Sequence, residues 1–301
     1  MDRLQGMRVF VRVAESGGFA GAGRALGMSP AAVTRAVAAL ESAIGARLFI
    51  RTTRSVKLTE AGGRYLDDCR RILAEIAEAE ATAAGSSATP SGFLTLTAPV
   101  QFGRLYVLPV ATDYLARHPA VAVRALFLDR IVNLIEEGID VGVRIGHLAD
   151  SGLTATRVGS VRRVVCAAPS YLERYGVPQT PRDLRDHAVI GSSNPGALPE
   201  WRFGPERRST VNVHPRLVCN TVDAALAAAL DGWGIARLLS YQVAPAVAEG
   251  RLRLLLTEDE EAPVPIHVVS PEGRRAPAKT RAFVDLAAAR LRADPRVNPA
   301  A

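Results

Sequence analysis

What most constrains this chain is the punctuation at residues 27–30, where Gly27, Ser29 and Pro30 separate two apolar helical repeats. Gly27 supplies a turn, Ser29 can cap free backbone N–H groups, and Pro30 fits a first helical turn without losing a hydrogen bond. Upstream, Met7, Val9, Phe10, Val13 and Ala14 recur near helical spacing up to Gly17-Gly18, and a short helix is expected over Phe19–Leu26. Downstream, Val33, Val37, Leu40 and Ile44 step by 4, 3 and 4, so that face of a further helix must be core. Ala31, Ala32, Thr34, Arg35 and Ala38 are left on the other faces, where they can meet a partner.

The stretch Arg47–Leu58 alternates apolar anchors with Arg51, Thr53, Arg54 and Lys57 across a turn, the pattern of a two-stranded wing. Three helices and a wing make a winged helix–turn–helix, whose second paired helix enters a DNA major groove with its N-terminal residues near base edges. Arg35 can bond guanine bidentately and Thr34 can meet a thymine methyl, with Ser29, Ala31 and Ala32 at the same end. Arg51, Thr53, Arg54 and Lys57 suit phosphates or the minor groove, contacts that position a protein without reading sequence. Charge agrees: residues 1–60 hold nine Lys/Arg against four acids, which is +5 of the chain's formal +7. Positive charge confined to one module marks the expected contact with double-stranded DNA.

Proline is absent from Thr59 to Ala84, and Ala61, Tyr65, Cys69, Ile72, Ile76, Ala79 and Ala83 step by 4, 4, 3, 4, 3 and 4. The spacing predicts a long amphipathic helix whose narrow stripe pairs with a second copy of the chain, giving a homodimer or homotetramer. Cys69 then belongs to the seam between copies; the other option is that the stripe packs on its own wing domain. A polar Gly/Ser/Pro hinge follows over Gly85–Gly92. The expected organisation is a DNA-binding domain at 1–58, a linker helix and hinge at 59–91, and a further domain at 92–301.

In that last part Phe93–Ala98, Val121–Leu128, Asp140–Ile145, Arg163–Ala168 and Ile266–Ser270 read as strands, among helices at Leu105–Arg117, Arg130–Glu137 and Val222–Asp231. The alternation predicts an α/β domain, and such sheets collect ligands at the carboxyl ends of their strands. A content of 48% apolar residues fits folded cores, and no uncharged apolar run reaches membrane-spanning length. With no signal-peptide pattern, the expected location is the cytoplasm, away from membranes. Cys69, Cys166 and Cys219 are read as free thiols, in preference to a Cys166–Cys219 redox pair. The five histidines are scattered, and no hydrolase, metalloprotease or P-loop motif appears, so neither catalytic residues nor a metal or cofactor is expected. Gly21-Ala22-Gly23 lacks both the preceding strand and the final glycine of a dinucleotide fingerprint.

Taken together, Phe10-Val11-Arg12-Val13-Ala14-Glu15-Ser16-Gly17-Gly18-Phe19, Ala25-Leu26-Gly27-Met28-Ser29, Val33-Thr34-Arg35, Leu40-Glu41, Gly45-Ala46-Arg47-Leu48-Phe49, Arg51-Thr52-Thr53-Arg54 and Leu58-Thr59-Glu60-Ala61-Gly62 resemble the N-terminal signature of the LysR-type transcriptional regulators. The likeness continues more loosely through Asp140–Gly146, Ala167–Leu172 and Gly232–Ile235. It implies that Ser29, Thr34 and Arg35 lie on the recognition helix and Arg51 and Arg54 on the wing. For residues 92–301 it implies a two-lobed, periplasmic-binding-protein-like α/β domain, lobe one spanning 92–162 plus 268–301 and lobe two 163–267. Between the lobes it implies a small-molecule effector cleft. Carried over by position, the cleft lining is Ala98, Pro99, Val100, Gln101 and Phe102, then Arg144, then Ser192 and Ser193, then Asn220 and Thr221. Trp233 and Arg237 depart from the family's commoner small residues on one wall.

The function so implied is effector-modulated, sequence-specific binding to promoter dyads, with DNA, an effector, a second copy of the chain and RNA polymerase as partners. An effector-independent architectural DNA-binding protein is the alternative. A plain solute-binding protein is disfavoured by the attached DNA module.

Overall fold

The computed structural model describes residues 2–51, 56–83, 89–148, 152–192, 200–204, 209–271 and 276–298. They fall into two compact units: Met1–Phe93 with His118–Ala122 and Pro277–Lys279, and Leu94–Arg117, Val123–Ala276 and Thr280–Ala301.

In the first unit, helix α1 (Arg3–Glu15) starts at Asp2, whose carboxylate accepts the Leu4 N–H. Helix α2 (Phe19–Leu26) ends at Gly27, which adopts the left-handed conformation at φ 64°. Helix α3 (Pro30–Ile44) starts as expected, the Ser29 hydroxyl accepting the Ala32 N–H at 3.2 Å with Pro30 in the first turn. Phe10, Val13, Ala22, Val33, Ala36 and Val37 are fully enclosed between these helices, and the rings of Phe10 and Phe49 stack obliquely with centroids 5.2 Å apart. Truncating Phe10 to alanine in such a core removes about 3–5 kcal/mol. Strands β1 (Phe49–Arg51) and β2 (Val56–Leu58) pair antiparallel as the wing.

Helix α4 (Glu60–Ala83) matches the linker expected from the apolar stripe. Its first half, however, corrects the reading of Cys69 as part of a seam between copies. Leu66 and Cys69 are buried within the single chain, in the same core as α1 and α3, and the Tyr65 ring lies 5.6 Å from that of Phe10. A step of four residues from Tyr65 to Cys69 keeps both on the face that α1 already covers, so this part of the stripe packs at home. Burial raises the Cys69 thiol above its ordinary value.

The second unit holds two five-stranded sheets. The first combines β3 (Gly92–Ala98), β4 (Val121–Phe127), β5 (Val141–Ile145), β6 (Thr154–Val161) and β14 (Val264–Ser270) in the order β4-β3-β5-β14-β6. The second combines β7 (Arg163–Ala167), β8 (Val189–Ser192), β11 (Leu217–Cys219), β12 (Ile235–Leu239) and β13 (Arg253–Leu255) in the order β11-β8-β12-β7-β13. A small hairpin, β9 (Glu200–Phe203) with β10 (Ser209–Asn212), lies between β8 and β11 in sequence. The chain crosses from one sheet to the other at Arg162, between β6 and β7, and returns between β13 and β14. Val264 to His267 pair with β6, so the return to the first sheet lies at Val264, ahead of the boundary at 268 drawn from sequence.

The segment Arg130–Glu137, read from sequence as a helix, is a turn. The Asn133 side chain accepts the Ile135 N–H, Gly138 closes the turn at φ 63°, and Arg130 clasps Glu137 through two 2.7 Å hydrogen bonds. Val132 and Leu134 are buried while Ile131 and Ile135 stand exposed, a two-residue alternation that no helical face accommodates. A redox pair of Cys166 and Cys219 is ruled out by topology. The two residues lie on β7 and β11 with β12 and β8 between them, three strand spacings or about 14 Å, well beyond the roughly 7 Å reach of a disulfide.

Candidate functional site

Two surfaces carry the residues singled out from sequence. On α3, Ala31, Thr34, Arg35 and Ala38 are exposed and Ala32 is half-buried, on the side opposite Val33, Ala36, Val37 and Leu40. The Thr34 hydroxyl donates to the Pro30 carbonyl at 2.9 Å, which ties the hydroxyl to its own helix and suits the methyl group to an apolar contact. Gly23 is needed for the turn that presents α3: a Cβ there would come 2.7 Å from the Met28 carbonyl oxygen.

The wing is fixed to α3 by a residue that the sequence reading gave no role. The Glu41 carboxylate accepts the N–H groups of Leu48 at 2.8 Å and Phe49 at 3.1 Å, at the start of β1. Thr59 then donates from its hydroxyl to the Arg47 carbonyl and accepts the Gly62 N–H, so α4 leaves directly from the wing. Gly62 is required at that junction, since a Cβ would fall 2.0 Å from the Leu48 carbonyl oxygen. Lys57 is exposed on β2. Arg51 is described only as a residue of β1, and Thr53 and Arg54 lie outside the described residues.

The second surface is the loop set at the ends of the strands in the C-terminal unit. After β3 the chain turns at Pro99 into a short helix α5 (Val100–Phe102), a single π-turn over Gly103–Val107, and helix α6 (Leu108–Arg117). The bulge coincides with Gly103, whose missing side chain admits the Phe127 ring: a Cβ would lie 2.3 Å from it. Ala98, Gln101 and Phe102 are buried, while Val100 is exposed. Phe102 and Tyr106 meet the ring of Tyr241 edge-on at 5.4 and 5.7 Å, Tyr241 lying in helix α9 (Ser240–Ala248) of the second sheet's layer.

The Val100 N–H donates to the Asp129 carboxylate at 3.0 Å. Gln101 is 7% exposed; its amide nitrogen leans towards Asp223 at 3.4 Å, and its oxygen is buried without a hydrogen-bond partner. Asp223 lies in the first turn of helix α8 (Val222–Leu230), which Thr221 caps by accepting the Ala224 N–H at 3.3 Å. Asn220 and Thr221 are exposed. Arg144 donates to the Val132 carbonyl at 2.7 Å, whereas Asp140 accepts the Thr95 N–H. Ser192 is described only as a strand residue and Ser193 lies outside the described residues.

Arg237, expected on a cleft wall, is a structural cation. Its guanidinium is 2.7 Å from Glu261 in a largely buried pair and lies 5.1 Å from the centre of the Phe203 ring. Glu261 belongs to the returning crossover, and the neighbouring Glu260 pairs with Arg162 of the outgoing one at 3.0 Å. The Arg162–Glu260 pair therefore joins the two crossovers, and Glu261 ties the returning one to β12 through Arg237. Among the described residues no group of three or more His, Cys, Asp or Glu could hold a metal ion, and no helix is long and apolar enough to cross a membrane.

Comparison with known proteins matches both parts of the chain. The sequence model of the LysR substrate binding domain matches residues 87–292, and that of the bacterial regulatory helix-turn-helix protein, lysR family, matches residues 4–63. An HTH-type transcriptional repressor of Pseudomonas aeruginosa is 35% identical over 95% of this chain and 91% of its own length. The HTH-type transcriptional regulator CrgA of Neisseria meningitidis serogroup C is 33% identical over 93% of this chain and 94% of its own. A solved structure of CrgA, described as a LysR-type transcriptional regulator from Neisseria meningitidis, superposes with a TM-score of 0.61 at 32% identity, covering 95% of this chain and 98% of that one.

Proposed function

The chain belongs to the LysR family of transcriptional regulators, and from that membership we propose that it reads an interrupted inverted repeat in promoter DNA and responds to a small molecule held in its C-terminal unit. The observation that carries this reading is the exposed strip Ala31, Thr34, Arg35 and Ala38 on a helix whose start is capped by Ser29 and whose opposite face is core. Such a helix lays its N-terminal side chains against base edges, where Arg35 meets guanine and the Thr34 methyl a thymine. Lys57, with Arg51, Thr53 and Arg54 of the wing, contacts the backbone.

Two copies present two heads. Ile72 still packs on the N-terminal core, and the apolar stripe of α4 continues past it at Ile76, which is half-buried; this later stretch is the proposed pairing surface. Heads related by a two-fold axis match half-sites about one helical turn apart. The effector acts by binding one arrangement of the heads more tightly than another; equal affinity for both would shift nothing. The protein works in the cytoplasm, where it meets DNA, effector and RNA polymerase. Its substrate-binding domain speaks against an effector-independent architectural role.

The test is to retain sheared genomic DNA on the purified protein at physiological salt and sequence it. A few discrete sites containing a dyad support the proposal, and retention indifferent to sequence overturns it.

A further inference from the structure

Building on the reading of α3 as the recognition helix, we propose that Glu41 is a positioning residue for sequence discrimination: its carboxylate sets where the wing grips the DNA backbone relative to the bases that α3 reads.

Helix geometry puts Glu41 in line with the reading strip. Ala31, Thr34, Ala38 and Glu41 step by 3, 4 and 3, so they share one face of α3. At the rise of an α-helix, Glu41 lies about 10 Å along the axis from Thr34. Ala31, Thr34 and Ala38 are exposed, whereas Glu41 is half-buried, because the chain entering β1 packs there. At that place one carboxylate oxygen accepts two successive N–H groups, from Leu48 at 2.8 Å and Phe49 at 3.1 Å. Successive N–H groups of an extended strand point to opposite sides, so a single oxygen takes both only where the chain turns. The pair of bonds therefore fixes the direction in which the wing leaves α3 as well as its distance.

Apolar anchoring does not supply this direction. Leu48 and Phe49 are buried in the core of the head, but apolar contact is non-directional, and two three-residue strands have little stiffness of their own. Thr59 holds the other side of the same run: its hydroxyl donates to the Arg47 carbonyl at 2.8 Å and its backbone N–H to the Leu48 carbonyl at 2.9 Å. The entry to β1 is thus gripped from α3 on its N–H side and from the start of α4 on its carbonyl side. Lys57 pairs with Ile50, the residue after Phe49, so a turn of the wing moves its backbone contacts relative to Thr34 and Arg35. Phosphate contacts set the register in which base contacts can read, and a reading group is lost when its supporting hydrogen bonds let it drift by about 1 Å. Random DNA is indifferent to this, because its affinity comes from neutralising phosphates in any register.

The experiment titrates full-length protein by fluorescence with the strongest dyad site retained from genomic DNA and with a scrambled duplex of equal length, at one salt concentration. Glu41→Gln keeps the reach and the acceptor oxygen but removes the charge, whereas Glu41→Asp keeps the charge and draws the oxygen back by one methylene. Glu41→Asp and Glu41→Ala should each lower the ratio of the two affinities about tenfold or more, with the scrambled duplex changed by less than about twofold. Glu41→Gln should preserve the ratio. Melting curves set a temperature at which each variant is folded, and the reciprocal Gln and Asp variants decide the matter if the alanine variant does not fold. Equal losses on both duplexes, or a ratio unchanged in Glu41→Asp, would reduce Glu41 to a structural role and overturn the proposal. A Glu41→Gln protein that loses discrimination as Glu41→Asp keeps it would assign the effect to charge and overturn it too. Wild-type protein without preference for the dyad site overturns the reading of α3 itself, and this proposal with it.

Discussion

Arg35 and the wing cations differ in what they should do to binding. Replacing Arg35 with alanine is expected to cost about 1–3 kcal/mol on the preferred site and little on random DNA. Lys57→Ala or Arg54→Ala should weaken both alike and lower the salt slope by about one. Fluorescence titrations on both DNAs distinguish the two, and equal losses from all three changes would remove Arg35 from base reading. Gly23→Ala forces a Cβ to within 2.7 Å of the Met28 carbonyl and should destabilise the first unit by about 1–3 kcal/mol, read from the melting curve. Thiol chemistry should be equally residue-specific. Burial pushes the Cys166 thiol up to about 12, and Cys69 is enclosed as well, whereas Cys219 is half-buried. Ellman's reagent at pH 8 should therefore titrate Cys219 alone until denaturant is added; rapid loss of all thiols in the native protein would contradict this burial. At this scale the sequence showed Arg35 and Ser29 clearly, because capping and periodicity are local signals. It did not show Glu41, Asp129 or Asp223, because a single acid on a helix or in a loop reads as solvated until folding brings its partner near.

Elements were legible in proportion to their length and regularity. Helices α1 to α4 and strands β3, β5 and β7 follow from spacing alone. Strands β8 to β13 are only three to five residues long and acquire their identity from neighbours in the sheet. The turn at Arg130–Glu137 misled because its apolar residues can be fitted to a helical stripe when burial is unknown. The crossovers allow a sharper test. The Arg237–Glu261 pair has side chains 7% and 10% exposed, and removing one member of a buried pair leaves an uncompensated charge. Glu261→Ala should cost about 3–5 kcal/mol in denaturant unfolding without changing the dependence on denaturant concentration. A loss below about 1 kcal/mol would mean that water, and not the partner, carries that charge.

For the whole molecule, the charge confined to the first sixty residues makes ionic strength the dominant control on DNA affinity. With two heads contributing six to ten phosphate contacts, affinity should fall by about 10³–10⁵ between 50 and 200 mM salt. A shallow dependence would indicate a single engaged head. The clamp of Glu41 on the first wing strand, together with the contact of α4 on Leu48 that Gly62 permits, ties α3, the first wing strand and α4 together. A signal from the C-terminal unit can then alter where each head is held, but not which bases it prefers. Address and switch are separable in such a protein: over generations the chain can exchange one inducing metabolite for another while every promoter it governs stays under its control.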